Sequence, residues 1–228
     1  LFKHFITLDI NLIMLIFLDT ADIEEIRKRD ASGLIDGVTT NPTLIRKSGG
    51  DPVEVVRQIS EEFPHFVSIS AEVVADTAPE MIEQAQAFKE MPNVTIKVPC
   101  TVEGLKACKA LAGEGFTVNV TLVFSVAQAI LAAKADATYV SPFVGRCNDN
   151  SFSGVELIRS IAMCFREHMV RTKVLSASLR DVHHVSRCFA YGSDVVTMPG
   201  KVFDKMYDHV LTEKGLDLFQ QDWNSINS

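Results

Sequence analysis

Val67-Ser68-Ile69-Ser70-Ala71-Glu72-Val73 alternates without a break: four apolar side chains on one face of an extended chain, two serines and a glutamate on the other. Val94-Thr95-Ile96-Lys97-Val98-Pro99 repeats the pattern, with Thr95 and Lys97 opposite Val94, Ile96 and Val98. Phe116–Leu122 does so again, with Thr117, Asn119 and Thr121 on one face and Val118, Val120 and Leu122 on the other. Three neighbouring strands therefore carry one apolar and one polar face each.

Outward from these, short β-rich runs recur along the whole chain, at Leu15–Leu18, Ile35–Thr39, Thr138–Ser141, Lys173–Ala177 and Asp194–Met198. Helical patterns separate the runs, at about Ile23–Arg29, Pro52–Phe63, Pro79–Glu90, Glu103–Gly113, Ser125–Ala133, Gly154–Met169, Val182–Tyr191 and Lys201–Leu211. A last helix is expected over Leu216–Trp223. Strand–helix alternation predicts a parallel sheet with crossover helices. Eight units in about 200 residues predict closure: an α/β fold, a (β/α)8 TIM barrel with an additional C-terminal helix. No Gly-rich dinucleotide or phosphate-loop fingerprint follows the first run, which weighs against an open doubly wound sheet.

Composition agrees with one globular enzyme domain, expected over residues 14–228: 47% apolar and 22% charged, with no linker or low-complexity tract. The net charge of −7 speaks against a nucleic-acid partner, which would need a basic face. Five cysteines, none closely paired, suggest neither a disulfide framework nor a zinc site, so a reducing cytoplasm is expected. The apolar stretch Ile10–Leu18 is too short to span a bilayer and lacks a small-residue cleavage site, so no membrane association is expected. Met14 stands just before the first strand, and residues 1–13 read as an upstream extension.

A barrel built only for stability fills its interior with branched apolar residues. Here seven of the eight runs end in polar side chains: Asp19; Thr39-Thr40-Asn41; Glu72; Lys97; Asn119 and Thr121; Ser141, with Arg146 beyond it; and Ser176, Ser178 and Arg180, expected on one face of the seventh run. One such residue is usually a satisfied core group. Seven at the C-terminal ends of strands, where barrel enzymes carry their chemistry, make a site.

Lys97 is its chemical centre. A strand lysine can be the cation of a structural ion pair with Asp19 or Glu72. A neutral lysine amine is instead a nucleophile that forms an imine with a ketone. Burial favours the neutral amine and nearby carboxylates favour the ammonium. The resulting iminium is an electron sink, and a carboxylate at the mouth can serve as base for the adjacent hydroxyl. Arg146, Ser178 and Arg180 offer donors suited to a phosphate. The adjacent His183 and His184 cannot share one helix face and read as surface residues, not a metal site.

In these segments the chain resembles the short transaldolases and the related fructose-6-phosphate aldolases. The likeness runs from about Met14 to Trp223, through IFLDTAD (16–22), GVTTNPT (37–43), SAEV (70–73), IKVPCTVEG (96–104), NVTLVFS (119–125), YVSPFVGR (139–146) and ASLR (177–180). It implies that Lys97 forms the Schiff base and that Asp19 is the acid/base at the C4 hydroxyl. It further implies that Glu72 and Thr121 hold a proton-relaying water. Asn41, Asn119 and Ser141 would bind the dihydroxyacetone part, and Arg146, Ser178 and Arg180 the phosphate. No metal or organic cofactor is implied. Glu72 and Phe143 resemble the transaldolase branch, where the aldolase branch has Gln and Tyr. The implied reaction, in pentose phosphate metabolism, moves dihydroxyacetone from fructose 6-phosphate or sedoheptulose 7-phosphate to an aldose phosphate.

The segment Cys147-Asn148-Asp149-Asn150-Ser151-Phe152-Ser153 departs from the family, which has an aliphatic residue and an acidic run there. Small members form rings, decamers among them, in which the C-terminal helix reaches a neighbour. Leu216, Phe219 and Trp223 form the stripe for such a contact, or for packing on the chain's own barrel. Two other readings stay open: a fructose-6-phosphate aldolase, and a phosphate-binding or assembly barrel in which Lys97 is no nucleophile.

Overall fold

Hydrogen bonding passes in parallel from each strand to the next in chain order and returns from the eighth to the first, so the sheet is a closed barrel. The computed structural model describes residues 14–226, and the segment 1–13 lies outside them. The strands are β1 (Leu15–Asp19), β2 (Gly37–Thr39), β3 (Ser68–Glu72), β4 (Val94–Pro99), β5 (Thr117–Val123), β6 (Tyr139–Pro142), β7 (Lys173–Ser176) and β8 (Val195–Met198). The eight expected runs are the eight strands, within two residues at each end. At β2 the strand starts later than read, because the Asp36 carboxylate takes the Ile16 amide (2.8 Å) that a strand carbonyl would otherwise accept.

Outward side chains such as Leu18, Ile69, Ile96, Val118 and Val196 join helix residues Ile26, Ile59, Leu111, Ile158 and Ile161 in the main core. Each such side chain contributes about 1.5–3 kcal/mol by leaving water. A second apolar cluster sits inside the barrel: Leu15, Phe17, Tyr139, Leu175, Ala177 and Val195. Phe17 and Tyr139 meet edge to face with centroids 6.3 Å apart. The opposite flank of the interior is hydroxyl-lined, with Ser68 Oγ 2.7 Å from Thr95 Oγ1 and Thr95 Oγ1 3.1 Å from Thr117 Oγ1. Aromatic filling from β1 and β6 thus leaves β3 to β5 room for small polar groups.

The helices are α1 (Ile23–Asp30), α2 (Pro42–Ser48), α3 (Pro52–Glu62), α4 (Ala78–Ala85), α5 (Val102–Gly113), α6 (Val126–Lys134), α7 (Val144–Asp149), α8 (Gly154–Glu167), α9 (Val182–Ala190), α10 (Gly200–Asp204) and α11 (Val210–Ile226). Several start on a side-chain cap a few residues past a strand. Asp22 accepts from the Glu24 amide, Asn41 from Leu44, Thr101 from Gly104 and Asp181 from His184. Short loops closed by such caps fix each strand's polar end at the mouth.

Two helices were not read in the sequence. Pro42–Ser48 is one, although Asn41 as cap and Pro42 at the first position are the standard start signal. Val144–Asp149 is the other, six residues with no side-chain cap. The C-terminal region also differs from its reading. The helix expected at Lys201–Leu211 ends at Asp204, turns tightly over Lys205–Tyr207, and gives way to the single long α11. Gly215 lies inside α11, where a glycine costs about 1 kcal/mol without ending the helix.

The β1–β2 register places Gly37 opposite Phe17. A Cβ at Gly37 would lie 2.4 Å from the Ser68 carbonyl oxygen and 2.8 Å from the Phe17 ring. Gly37→Ala should therefore lower unfolding free energy in urea by about 1–3 kcal/mol. Wild-type stability in that variant would show that Phe17 is not clamped against β2.

Candidate active site

Register brings the central residues together. Glu72 on β3 is the Cα partner of Lys97 on β4, and Lys97 is the partner of Asn119 on β5. Three side chains on one face of three adjacent strands are thus forced side by side. Lys97, 6% exposed, reaches Glu72 Oε2 at 2.9 Å and donates to the Thr40 carbonyl at 3.0 Å. A buried ammonium is held when it is both paired and hydrogen-bonded, and this one is both.

Asp19 ends β1 and faces the same cavity. Thr39 Oγ1 donates to Asp19 Oδ1 (2.9 Å) and lies 2.6 Å from Thr197 Oγ1, so Thr197 supplies the proton that the Thr39 oxygen accepts. Burial pushes the Asp19 carboxyl above the usual carboxylate range. The Thr39 hydrogen bond and the Lys97 charge oppose that rise, and the charge of Glu72 adds to it. Two carboxylates share one ammonium; Glu72 is bonded to it, and Asp19 is left with a propensity to hold a proton.

The cavity, about 130 Å3, is bounded by Asp19, Asn41, Lys97, Asn119, Thr121, Ser141, Phe143, Arg146 and Ser178 among others. Ser141 Oγ donates to Asn119 Oδ1 (2.7 Å), which turns Asn119 Nδ2 the other way. That nitrogen and Thr121 Oγ1 are buried without a protein hydrogen-bond partner. Leaving a buried polar group unpaired costs about 1–3 kcal/mol. Two in one cavity wall point to a bound molecule that supplies partners. Thr121 is the last residue before an irregularity: it is in register with Pro99 of β4, but the β5–β6 register shifts between Val120 and Val123, and Leu122 adopts φ 59°.

Nine of the eleven expected residues line this cavity. Glu72 touches it through Lys97 and also lines a larger cleft, about 630 Å3, between α2, α3 and α4. Arg180 does not line it; its guanidinium is paired with Asp149, Nη1–Oδ1 and Nη2–Oδ2 each 2.5 Å. Phe143 stacks beneath the Arg146 guanidinium, 4.8 Å from the ring centre, and meets Phe124 at 5.9 Å.

The expected alignment of Ser176, Ser178 and Arg180 on one inner face is corrected. Leu175 and Ala177 face inward from this strand, and Ser176 points outward to Ser193 Oγ (2.7 Å). Ser178 reaches the cavity because its backbone turns left-handed, φ 59°, just past the strand. Gly145 makes that turn fit: a Cβ there would lie 2.3 Å from the Ser178 carbonyl oxygen. Thr197 also lines the cavity and was not anticipated; its place on the same face as Val195, opposite Val196 and Met198, was the available signal. Among the described residues no cluster of three or more His, Cys, Asp or Glu is arranged to hold a metal ion. His184 contacts Asn148 Nδ2 (3.2 Å) and Asp181 (2.6 Å).

A closed barrel whose strand ends converge on a buried amine, two carboxylates and unsatisfied donors belongs to the barrel enzymes. Within them, the chain is a member of the transaldolase/fructose-6-phosphate aldolase family, whose model matches residues 16–228. Proteins described as "Probable transaldolase" are similar over nearly the whole chain. That of Cereibacter sphaeroides is 49% identical over 211 residues, covering 92% of this chain and 95% of its own. That of Paracoccus denitrificans is 49% identical over 213 residues (92% and 96%), and that of Novosphingobium aromaticivorans 50% over 211 (92% and 96%).

The raised Asp19 carboxyl has a consequence for stability. The folded state binds this proton more tightly than the unfolded chain does. Stability from the site is therefore fully present below the ordinary value of 3.8 and is lost as pH rises through the raised one. Asp19→Asn, which cannot ionise, should resist urea better than wild type at pH 8, with the gain vanishing below pH 3.8. A less stable variant at pH 8 would mean that the Lys97 attraction outweighs burial.

Proposed function

We propose that the protein is a transaldolase that transfers a dihydroxyacetone unit between sugar phosphates through an imine on Lys97. The observation carrying this reading is the buried Lys97 amine, bonded to Glu72 and facing Asp19 across a cavity with unsatisfied donors. Glu72, 2.9 Å away, takes the ammonium proton as the amine attacks the ketose C2, and with Thr121 holds the water that leaves and returns. Asp19 then removes the C4 hydroxyl proton while the C3–C4 electron pair moves into the iminium. An aldose phosphate departs and a three-carbon enamine stays on Lys97. The acceptor aldehyde adds to it and recovers the proton from Asp19. A carboxyl whose affinity for protons is raised by burial suits both directions of that transfer. Asn41, Asn119 and Ser141 hold the three-carbon unit. Arg146, Ser178 and Arg180 hold the phosphate. Glu72 and Phe143, in place of the aldolase branch's Gln and Tyr, favour transfer over release to water.

We place the enzyme in the cytoplasm, where its five free cysteines stay reduced, and read residues 14–228 as one domain. No helix among the described residues is long and apolar enough to cross a membrane. We also propose a homo-oligomeric ring joined through α11. No residue of α11 is buried, and Leu216, Leu218, Phe219 and Ile226 are 62%, 59%, 72% and 76% exposed. So much apolar surface on one helix marks an interface.

Borohydride reduction in the presence of fructose 6-phosphate, followed by peptide mass analysis, should give a three-carbon or six-carbon adduct on Lys97 alone. Product formation should require an added aldose phosphate; dihydroxyacetone released without one would make the protein an aldolase, and no adduct on folded protein would remove the imine. Light scattering should show an assembly that Phe219→Asp dissociates, and a wild-type monomer at micromolar concentration would end the ring.

A further inference from the structure

Arg180 is the one expected phosphate ligand that the cavity does not contain, and its position has a cause. Asp149, the last residue of α7, grips the guanidinium end-on through two parallel bonds of 2.5 Å. This two-pronged geometry is the one in which a guanidinium takes a phosphate. Arg180 holds the Asp149 carboxyl below the usual carboxylate range, and the charge of Arg146 adds to the effect. One carboxylate thus lies in the field of both arginines. The Ser178 hydroxyl is close at hand: a Cβ on Gly145 would sit 2.9 Å from both Ser178 Oγ and Arg180 Nε.

We propose that Asp149 is an internal counter-anion that occupies the phosphate clamp in the free enzyme and is displaced from Arg180 by the phosphate of the substrate. This rests on the transaldolase reading of the site. The exchange is easy on three counts. The two side chains are 55% and 47% exposed, and ion pairs of that kind are weak. A carboxylate at the C-terminal end of a helix is unfavourably placed against the helix dipole, and among the described residues Arg180 is its hydrogen-bond partner. A phosphate brings about two charges and three acceptor oxygens against one charge and two oxygens.

The backbone need not move for the swap. Asn148 Oδ1 accepts from the Gly154 amide (2.9 Å) and Asn150 Nδ2 donates to the Arg146 carbonyl (2.9 Å), so the segment around Asp149 is pinned on both sides. Only two half-exposed side chains have to move: Asp149 turns away and Arg180 swings toward the cavity. Asp149 is thus a positioning residue acting through Arg180. An unphosphorylated sugar gains nothing by opening the pair, so the contact sharpens the preference for phosphorylated substrates.

The test measures inorganic phosphate binding to the full-length protein by calorimetry, for wild type, Asp149→Asn, Arg180→Gln and the double variant. Asp149→Asn should bind phosphate about two- to fivefold more tightly. Its KM for a phosphorylated acceptor should fall by a similar factor with kcat little changed. In the Arg180→Gln background, Asp149→Asn should have no such effect. Unchanged or weaker phosphate binding by a folded Asp149→Asn would overturn the proposal, making the carboxylate a support for Arg180. An equal gain with and without Arg180 would also overturn it. If the Asn variant does not fold, Asp149→Ser gives the same comparison. Borohydride trapping of dihydroxyacetone on Lys97, run alongside, reports on the imine separately: its loss in wild type would sink the functional reading, while the phosphate titration alone decides the role of Asp149.

Discussion

The two-residue period of an extended chain, closed into a ring, is the constraint on which the site depends. In an open sheet a strand can slip by one residue and re-pair. In a closed barrel each strand is held from both sides, so the parity of every side chain is fixed by its neighbours. Lys97 faces the interior because Ile96 and Val98 are required outside, in the helix-packed core. Once that parity is set, Glu72 and Asn119 follow, being its direct partners in register. The centre of the site is therefore not assembled from loops, although Asn41, Arg146 and Ser178 join it from beyond the strand ends. It is a row across three strands whose outer faces supply much of the fold's apolar burial.

That same period explains what could be read from the sequence and what could not. The strands stood out because β3, β4 and β5 alternate strictly, and Lys97, Glu72, Asn119 and Thr121 fell on the inner face by counting. Counting failed at Ser178, where a single left-handed residue breaks the alternation. Thr197 keeps the alternation, two residues after the inward Val195, but was not singled out because the rest of its strand is apolar. Helices α2 and α7 escaped because seven and six residues hold too few turns to display a periodic face. The Arg180–Asp149 pair had no local signature at all: the partners are 31 residues apart, and only the fold brings them together.

The mouth and the interior beneath it have opposite energetics. Asn119 Nδ2 and Thr121 Oγ1 are buried without protein partners, and burial disfavours the ionised Asp19. These features destabilise the fold and are typical of a surface prepared for a ligand. Directly below, Leu15, Phe17, Tyr139, Leu175 and Val195 are nearly all inaccessible to solvent. Local strain at the top is tolerated because the layer beneath it is closely packed. The segregation also keeps the polar groups from competing with one another for misplaced partners.

That aromatic and aliphatic floor has a kinetic meaning. Phe17 is fully buried and Tyr139 is 5% exposed, so these two rings fill their side of the barrel interior below the site. On that side Lys97 is reached from the mouth, where the cavity of about 130 Å3 lies. On the proposed imine mechanism, the departing aldose phosphate and the incoming acceptor share that one cavity. A site that small suits a ping-pong order, in which the proposed three-carbon fragment waits on Lys97 while the first aldose phosphate gives way to the second.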